Sequence, residues 1–181
     1  MKRWFALSAI GRDRPGIVAD LAETVFECDG NLEDSSMTIL GSEFAVLMLV
    51  SGEGEEFERK LSSACKRLEW EKRLTVFVRP LEGAPVDYAA ETGAALYDLE
   101  ATGVDKAGLV ARVARCLADH GANIEQMFTQ STPEPGTGTP IYRMRIRIAV
   151  PEAVKEEDLR EALEKVAREL HIDVSLQRAG A

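Results

Sequence analysis

Apolar residues alternate with short polar punctuation along the whole chain, and their spacing switches repeatedly between two periods. An apolar run at 3–10 (RWFALSAI) stops at Gly11 and predicts a strand. Ile17, Val18, Leu21, Ala22 and Val25 then fall on one stripe, the spacing of a buried helix face. Gly30 and Asn31 are expected to end that helix through a positive φ angle. Leu32–Leu40 and Phe44–Val50 read as strands joined at Gly41-Ser42, which predicts a hairpin. A second helix is predicted over Glu55–Leu68, with Phe57, Leu61, Ala64, Cys65 and Leu68 inward, and a fourth strand over Leu74–Val78.

The same order returns further on. A shift of 92 residues lays Trp4–Asp34 over Leu96–Gln126 without a gap, and 10 of the 31 positions are identical, among them Asp13/Asp105, Gly16/Gly108, Asn31/Asn123 and Glu33/Glu125. Ordinary residue usage would give about two. The second copy predicts strands at Leu96–Thr102, Asn123–Gln130, Ile141–Val150 and Ile172–Leu176. Its helices are expected at Lys106–His120 and around Leu159, Leu163, Val166 and Leu170. Two βαββαβ units in tandem make an α+β protein of ferredoxin-like sandwiches, antiparallel sheets with helices on one face. The expected layout is a first domain at 1–80, a linker at 81–92 and a second domain at 93–181. Ser131–Pro140 (STPEPGTGTP) is rich in Pro, Gly and Thr and reads as a lengthened loop, either a mobile flap or a tolerated insertion.

Composition narrows the function classes. The net charge of −9, from 22 basic and 31 acidic residues, disfavours direct nucleic-acid binding, which draws on clustered Lys and Arg. No apolar run approaches the ~18 residues of a membrane span, and nothing near Met1 resembles a secretory leader, so a cytoplasmic location is expected. Cys28, Cys65 and Cys116 lack pairing motifs and read as reduced and structural; His120 and His171 lack zinc spacing, so neither metal nor cofactor is expected. His120, at a helix end, suits a capping role better than catalysis. With no nucleophile–base pair, P-loop or dinucleotide fingerprint, no enzymatic activity is expected.

The chemistry-bearing segment is Asp13-Arg14-Pro15-Gly16-Ile17-Val18, where a strand passes into a helix N-terminus. Exposed N–H groups there attract anions, Pro15 suits a first helical turn, and Gly16 permits close approach to the backbone. Asp13 can cap the helix or accept a hydrogen bond from a ligand ammonium group. Asn31 offers donors and an acceptor to an amino acid, or serves as a turn residue.

These residues, with Gly30-Asn31-Leu32 and the following strand, resemble the ACT domain. Two such domains with little else are similar to the glycine cleavage system transcriptional repressor family. In the second copy the segment is Asp105-Lys106-Ala107-Gly108-Leu109-Val110, with Ala107 in place of the proline. The resemblance implies amino-acid binding at interfaces between domains, through the strand-to-helix loop and the start of strand two. It carries the binding role to Asp13, Pro15, Gly16, Ile17 and Asn31, and to Asp105, Gly108, Leu109 and Asn123. It also implies a regulator of glycine cleavage metabolism that works through a partner protein; a homodimer is expected because such small sandwiches leave open faces and edges to cover. A ligand-free interaction module and a regulatory subunit of a metabolic enzyme are the alternatives.

Overall fold

A computed structural model describes residues 1–180. The chain divides into two compact units, the first Met1–Pro85 and the second from Val86 onward. In the first, β1 (Lys2–Arg12), α1 (Ile17–Glu27), β2 (Asn31–Leu40), β3 (Glu43–Glu53), α2 (Gly54–Lys72) and β4 (Thr75–Leu81) follow in order. Their antiparallel sheet runs β2-β3-β1-β4, which leaves β2 and β4 as edges. In the second unit a five-residue helix α3 (Tyr88–Thr92), inside the segment expected to be a plain linker, precedes β5 (Ala95–Val104), α4 (Leu109–Asp119), β6 (Asn123–Pro133), β7 (Pro140–Val150), α5 (Glu156–Leu170) and β8 (Ile172–Arg178). The sheet order is the same, β6-β7-β5-β8.

Strand alternation sets where the first core lies. Phe5, Leu7 and Ala9 of β1 and Phe44, Val46, Met48 and Val50 of β3 point to one face and are buried. Ile17, Leu21 and Val25 of α1 and Phe57, Leu61, Cys65 and Leu68 of α2 cover that face. Their i, i+4 spacing keeps them on one side of each helix. The second core repeats the scheme with Leu99, Ala101, Met144, Ile146 and Ile148 beneath Leu109, Val113, Leu117, Leu159 and Leu163. The opposite face of each sheet is not covered by these helices; in the second unit α3 touches β7, and Ala149, on the face opposite Ile148, is buried.

Helix termination differs from the expectation at Gly30. The left-handed residue after α1 is Asp29 (φ 63°), not Gly30. The Gly30 N–H bonds the Val25 carbonyl at 3.0 Å and the Asp29 N–H bonds the Phe26 carbonyl at 3.0 Å. This pair of bonds satisfies the last helical carbonyls. Gly30 is small for another reason: a Cβ there would lie 2.6 Å from the Phe57 ring. After α4 the left-handed position is Gly121 (φ 69°), closed by the equivalent bonds from Gly121 and Ala122. His120 Nδ1 lies 2.8 Å from the Cys116 carbonyl oxygen, so this histidine does finish the helix.

Two further boundaries move. α4 begins at Leu109 rather than Lys106, because Gly108 is the left-handed residue that starts it. Ser131–Pro140 is not a loop throughout: β6 continues to Pro133 and β7 begins at Pro140, with Pro133 paired to Pro140. Only Glu134–Thr139 turns. That turn is ordered by Glu134 N–H to the Thr139 carbonyl (2.8 Å), Gly138 N–H to the Glu134 carbonyl (3.0 Å) and Thr137 Oγ1 to the Glu134 carboxylate (2.7 Å).

Candidate functional site

The turn between β1 and α1 is fixed from both sides. The Asp13 N–H donates to the Ser42 carbonyl at 2.8 Å, which ties the loop to the β2–β3 turn. Gly16, at φ 92°, is the helix N-cap, and among the described residues no side chain caps α1. Asp13 is therefore not the cap, and its exposed carboxylate is left for other work. The first N–H groups of any helix lack intrahelical acceptors, and here they open beside that carboxylate. Arg14 lies between the two. Its Nη2 donates to Asp20 at 2.8 Å, and Lys72 Nζ donates to the other Asp20 oxygen at 3.1 Å. The Arg14 and then the Lys72 hydrogen bonds hold the Asp20 carboxyl below its ordinary range.

Asp13, Arg14, Gly16 and Ile17 line a recess of about 260 Å³, closed on its apolar side by Met37 of β2 and Phe44 of β3. Opposite charges thus flank a helix N-terminus over an apolar wall. Pro15 is an exposed member of the same loop, and Ile17 is mainly a core residue, 2% exposed. Arg14, Met37 and Phe44 were not singled out from the sequence. Arg14 stands inside the recognised motif, but Met37 reaches the recess only through the register Met37↔Val46, which no local pattern reveals.

Asn31 is not part of this recess. It begins β2, opposite Ser51, whereas the loop adjoins the far end of β2 near Leu40 and Ser42. Nine residue steps separate the ends of β2, a span of roughly 30 Å. Asn31 is also engaged locally. The register of β2 shifts between Leu32 and Asp34, which makes Glu33 a bulge residue. Hydrogen bonds from Lys2, Ser51 and Asn31 hold the Glu33 carboxyl at about 2. The second module repeats the device: the register shifts between Ile124 and Gln126, and Asn123 Nδ2 donates to Glu125 at 2.8 Å. The paired identities Asn31/Asn123 and Glu33/Glu125 thus have a structural basis in this bulge.

The second strand-to-helix turn has the same backbone and different side chains. Gly108 (φ 90°) is the N-cap of α4, and the Asp105 N–H donates to the Pro140 carbonyl at 2.9 Å. The Asp105 carboxylate, however, already accepts a 2.6 Å bond from Ser131 Oγ. Leu109 is buried in the core, and Asn123 again lies at the opposite end of its strand.

The fold defines the class: two βαββαβ sandwiches in tandem, each with a glycine-capped strand-to-helix turn. ACT domain profiles match residues 4–79 and 97–168, so the chain belongs to the ACT domain family and contains the domain twice. It is 25% identical over 181 residues to the glycine cleavage system transcriptional repressor of Escherichia coli, covering 97% of this chain and 90% of that one. A solved structure of an unknown protein from Galdieria sulphuraria is 30% identical, with a TM-score of 0.80 over 99% of this chain and 100% of that one. A second solved structure, carrying the same repressor name provisionally, is 19% identical with a TM-score of 0.77 over 100% and 99% of the two chains, and so shares the fold.

Proposed function

We propose that this tandem ACT protein is a non-catalytic sensor of a small amino acid, read out through a partner protein in the control of amino-acid metabolism, glycine cleavage in particular. The observation that carries the reading is the recess at the first strand-to-helix turn. Asp13 suits a ligand ammonium group, while Arg14 and the free helix N–H groups suit its carboxylate. Met37 and Phe44 supply apolar contact, and 260 Å³ fits a ligand smaller than a drug-sized molecule.

Asn31 joins such a site only from another module. β2 is an edge strand with unpaired backbone groups. Antiparallel pairing of β2 with β2 of a second chain would bring Asn31 of one copy to the loop end of the other, which makes the site a product of homodimerisation. Ligand would then favour the paired arrangement, as a population shift requires. The repressor name of the Escherichia coli relative supports transcriptional regulation as the output, and the acidic net charge supports action through a partner rather than on DNA directly.

The test is calorimetric titration of the full chain with glycine, serine and the other common amino acids, repeated on Asp13→Ala/Asn31→Ala. Saturable binding lost in the double variant supports the reading; unaltered affinity removes the site assignment. A ligand-free interaction module is the second reading, favoured by the apolar open face of the first sheet, where Ile10, Leu47 and Phe77 are about half exposed or more.

A further inference from the structure

The two modules share a fold but not the chemistry of the sheet face turned away from α1 and α2, or from α4 and α5. Residues paired across neighbouring strands lie on the same face, so the ladders define rows. In the first module one such row is Phe77–Ser8–Leu47 and the next is Arg79–Ala6–Leu49, which β2 extends with Ser36 beside Leu47 and Asp34 beside Leu49. The matching rows of the second module are Ser175–Glu100–Arg145 and Gln177–Asp98–Arg147. β6 extends them, with Phe128 beside Arg145 and Gln126 beside Arg147. At the two central strands, Ser8–Leu47 and Ala6–Leu49 of one copy are replaced by Glu100–Arg145 and Asp98–Arg147 in the other. That second face is also concave, enclosing about 470 Å³.

The two charged rows are not alike. Arg147 Nε and Nη2 donate to both Asp98 oxygens, at 2.9 and 3.2 Å, so that row is neutralised and its guanidinium fixed. Arg145 and Glu100 are direct cross-strand neighbours, yet neither forms an ion pair within 4.0 Å among the described residues. Both line the cavity, together with Ser175, Gln126 and the exposed ring of Phe128. A cation and an anion held side by side and left unpaired, with hydroxyl and amide groups around them and an aromatic wall, match a small zwitterion.

We propose that the open face of the second sheet is a binding site for an α-amino acid. Arg145, with the Gln126 amide, takes the carboxylate as guanidinium groups do in a forked bond. Glu100 and the Ser175 hydroxyl take the ammonium group, and Phe128 packs on the aliphatic portion. The site is independent of the strand-to-helix recess of the first module and shares no residue with it.

Titration of the full chain with each of the twenty standard amino acids tests it, with Arg145→Gln, Glu100→Gln and the loop variant Asp13→Ala/Asn31→Ala in parallel. Loss of a charge-assisted bond is expected to weaken the binding event at this face roughly ten- to a hundredfold in each of the first two, whereas the loop variant removes the separate event at the first turn and keeps this one. The deaminated carboxylic acid with the same side chain gives a second readout: wild type prefers the amino acid, and Glu100→Gln loses that preference. Loss of every binding event in the loop variant overturns this proposal and leaves the loop reading standing; a single event that only Arg145→Gln and Glu100→Gln remove does the reverse, and two separable events support both. Absence of binding by all twenty overturns it, as does salt-sensitive self-association that Arg145→Gln abolishes, which would make the face a contact between copies.

Discussion

Ser131 Oγ donates to the Asp105 carboxylate across the second strand-to-helix turn, and the residue that corresponds to Ser131 in the first module is Ile39. Ile39 has no hydroxyl to give. Two turns with one backbone therefore present different carboxylates, one engaged and one open.

That difference predicts unequal ligand competence at the two turns. Asp13→Ala should weaken amino-acid binding at the first turn about tenfold, the worth of one charge-assisted hydrogen bond, while Asp105→Ala should leave that event unchanged. Ile39→Ser, which installs the second module's hydroxyl beside Asp13, should weaken it as well. Calorimetry on the three variants checks this; equal losses from Asp13→Ala and Asp105→Ala would refute the asymmetry.

The bulge carboxylate predicts an acid-sensitive first module. Lys2, then Ser51 and Asn31, hold Glu33 at about 2 against an ordinary 4.5. A depressed carboxyl stabilises the fold above its unfolded pKa, and that contribution drains as pH falls from 4.5 toward 2. Glu33→Gln cannot titrate. Its urea midpoint should therefore fall less than that of wild type across this interval, though Asp20 and Glu156, shifted in the same direction, will keep some acid dependence in both. Parallel declines would show that the Glu33 bonds contribute nothing.

Much of this architecture was legible in the sequence because periodicity and repetition are local signals. The stripe Ile17, Leu21, Val25 placed α1, and the 92-residue shift announced a duplicated fold. What was not legible depends on registers and neighbours. The resemblance groups Asn31 with Asp13, but α1 carries the chain away between them and Asn31 lies at the end of β2 far from the loop. The loop expected at Ser131–Pro140 is shorter, Glu134–Thr139, since pairing of Pro133 with Pro140 at a hairpin end needs no ladder hydrogen bond from either proline nitrogen. Gly30 was assigned to backbone conformation when its neighbour Phe57 was the cause. The Arg145–Glu100 row is invisible without the β5–β7 register.

Phe57 sets a packing prediction. Its ring meets Phe5 edge-on at 5.5 Å and is pressed between Gly30 and Gly52. A Cβ at Gly52 would lie 2.3 Å from the ring. Gly52→Ala should cost about 1–3 kcal/mol by overpacking, measured as a shift in urea midpoint. The double variant with Phe57→Leu should lose less than the sum of the two single losses, because the smaller side chain makes room for the methyl group. Strict additivity would mean the strain lies elsewhere.

The cysteines give each module its own reporter. Cys28 and Cys65 lie in the first core and Cys116 in the second, all three buried and none in a disulfide. Burial raises each thiol, Cys65 to about 12. Because the thiolate is the reactive form, alkylation by iodoacetamide near pH 8 is suppressed by both low ionisation and lack of access. Native protein should therefore label only as fast as its modules open, and fully unfolded protein should label at all three positions. With rising urea, mass spectrometry should show Cys28 and Cys65 becoming reactive together, since one core holds both, while Cys116 follows the stability of its own module. Rapid labelling of any one thiol in the absence of urea would contradict its burial, and separate transitions for Cys28 and Cys65 would contradict a single cooperative first core.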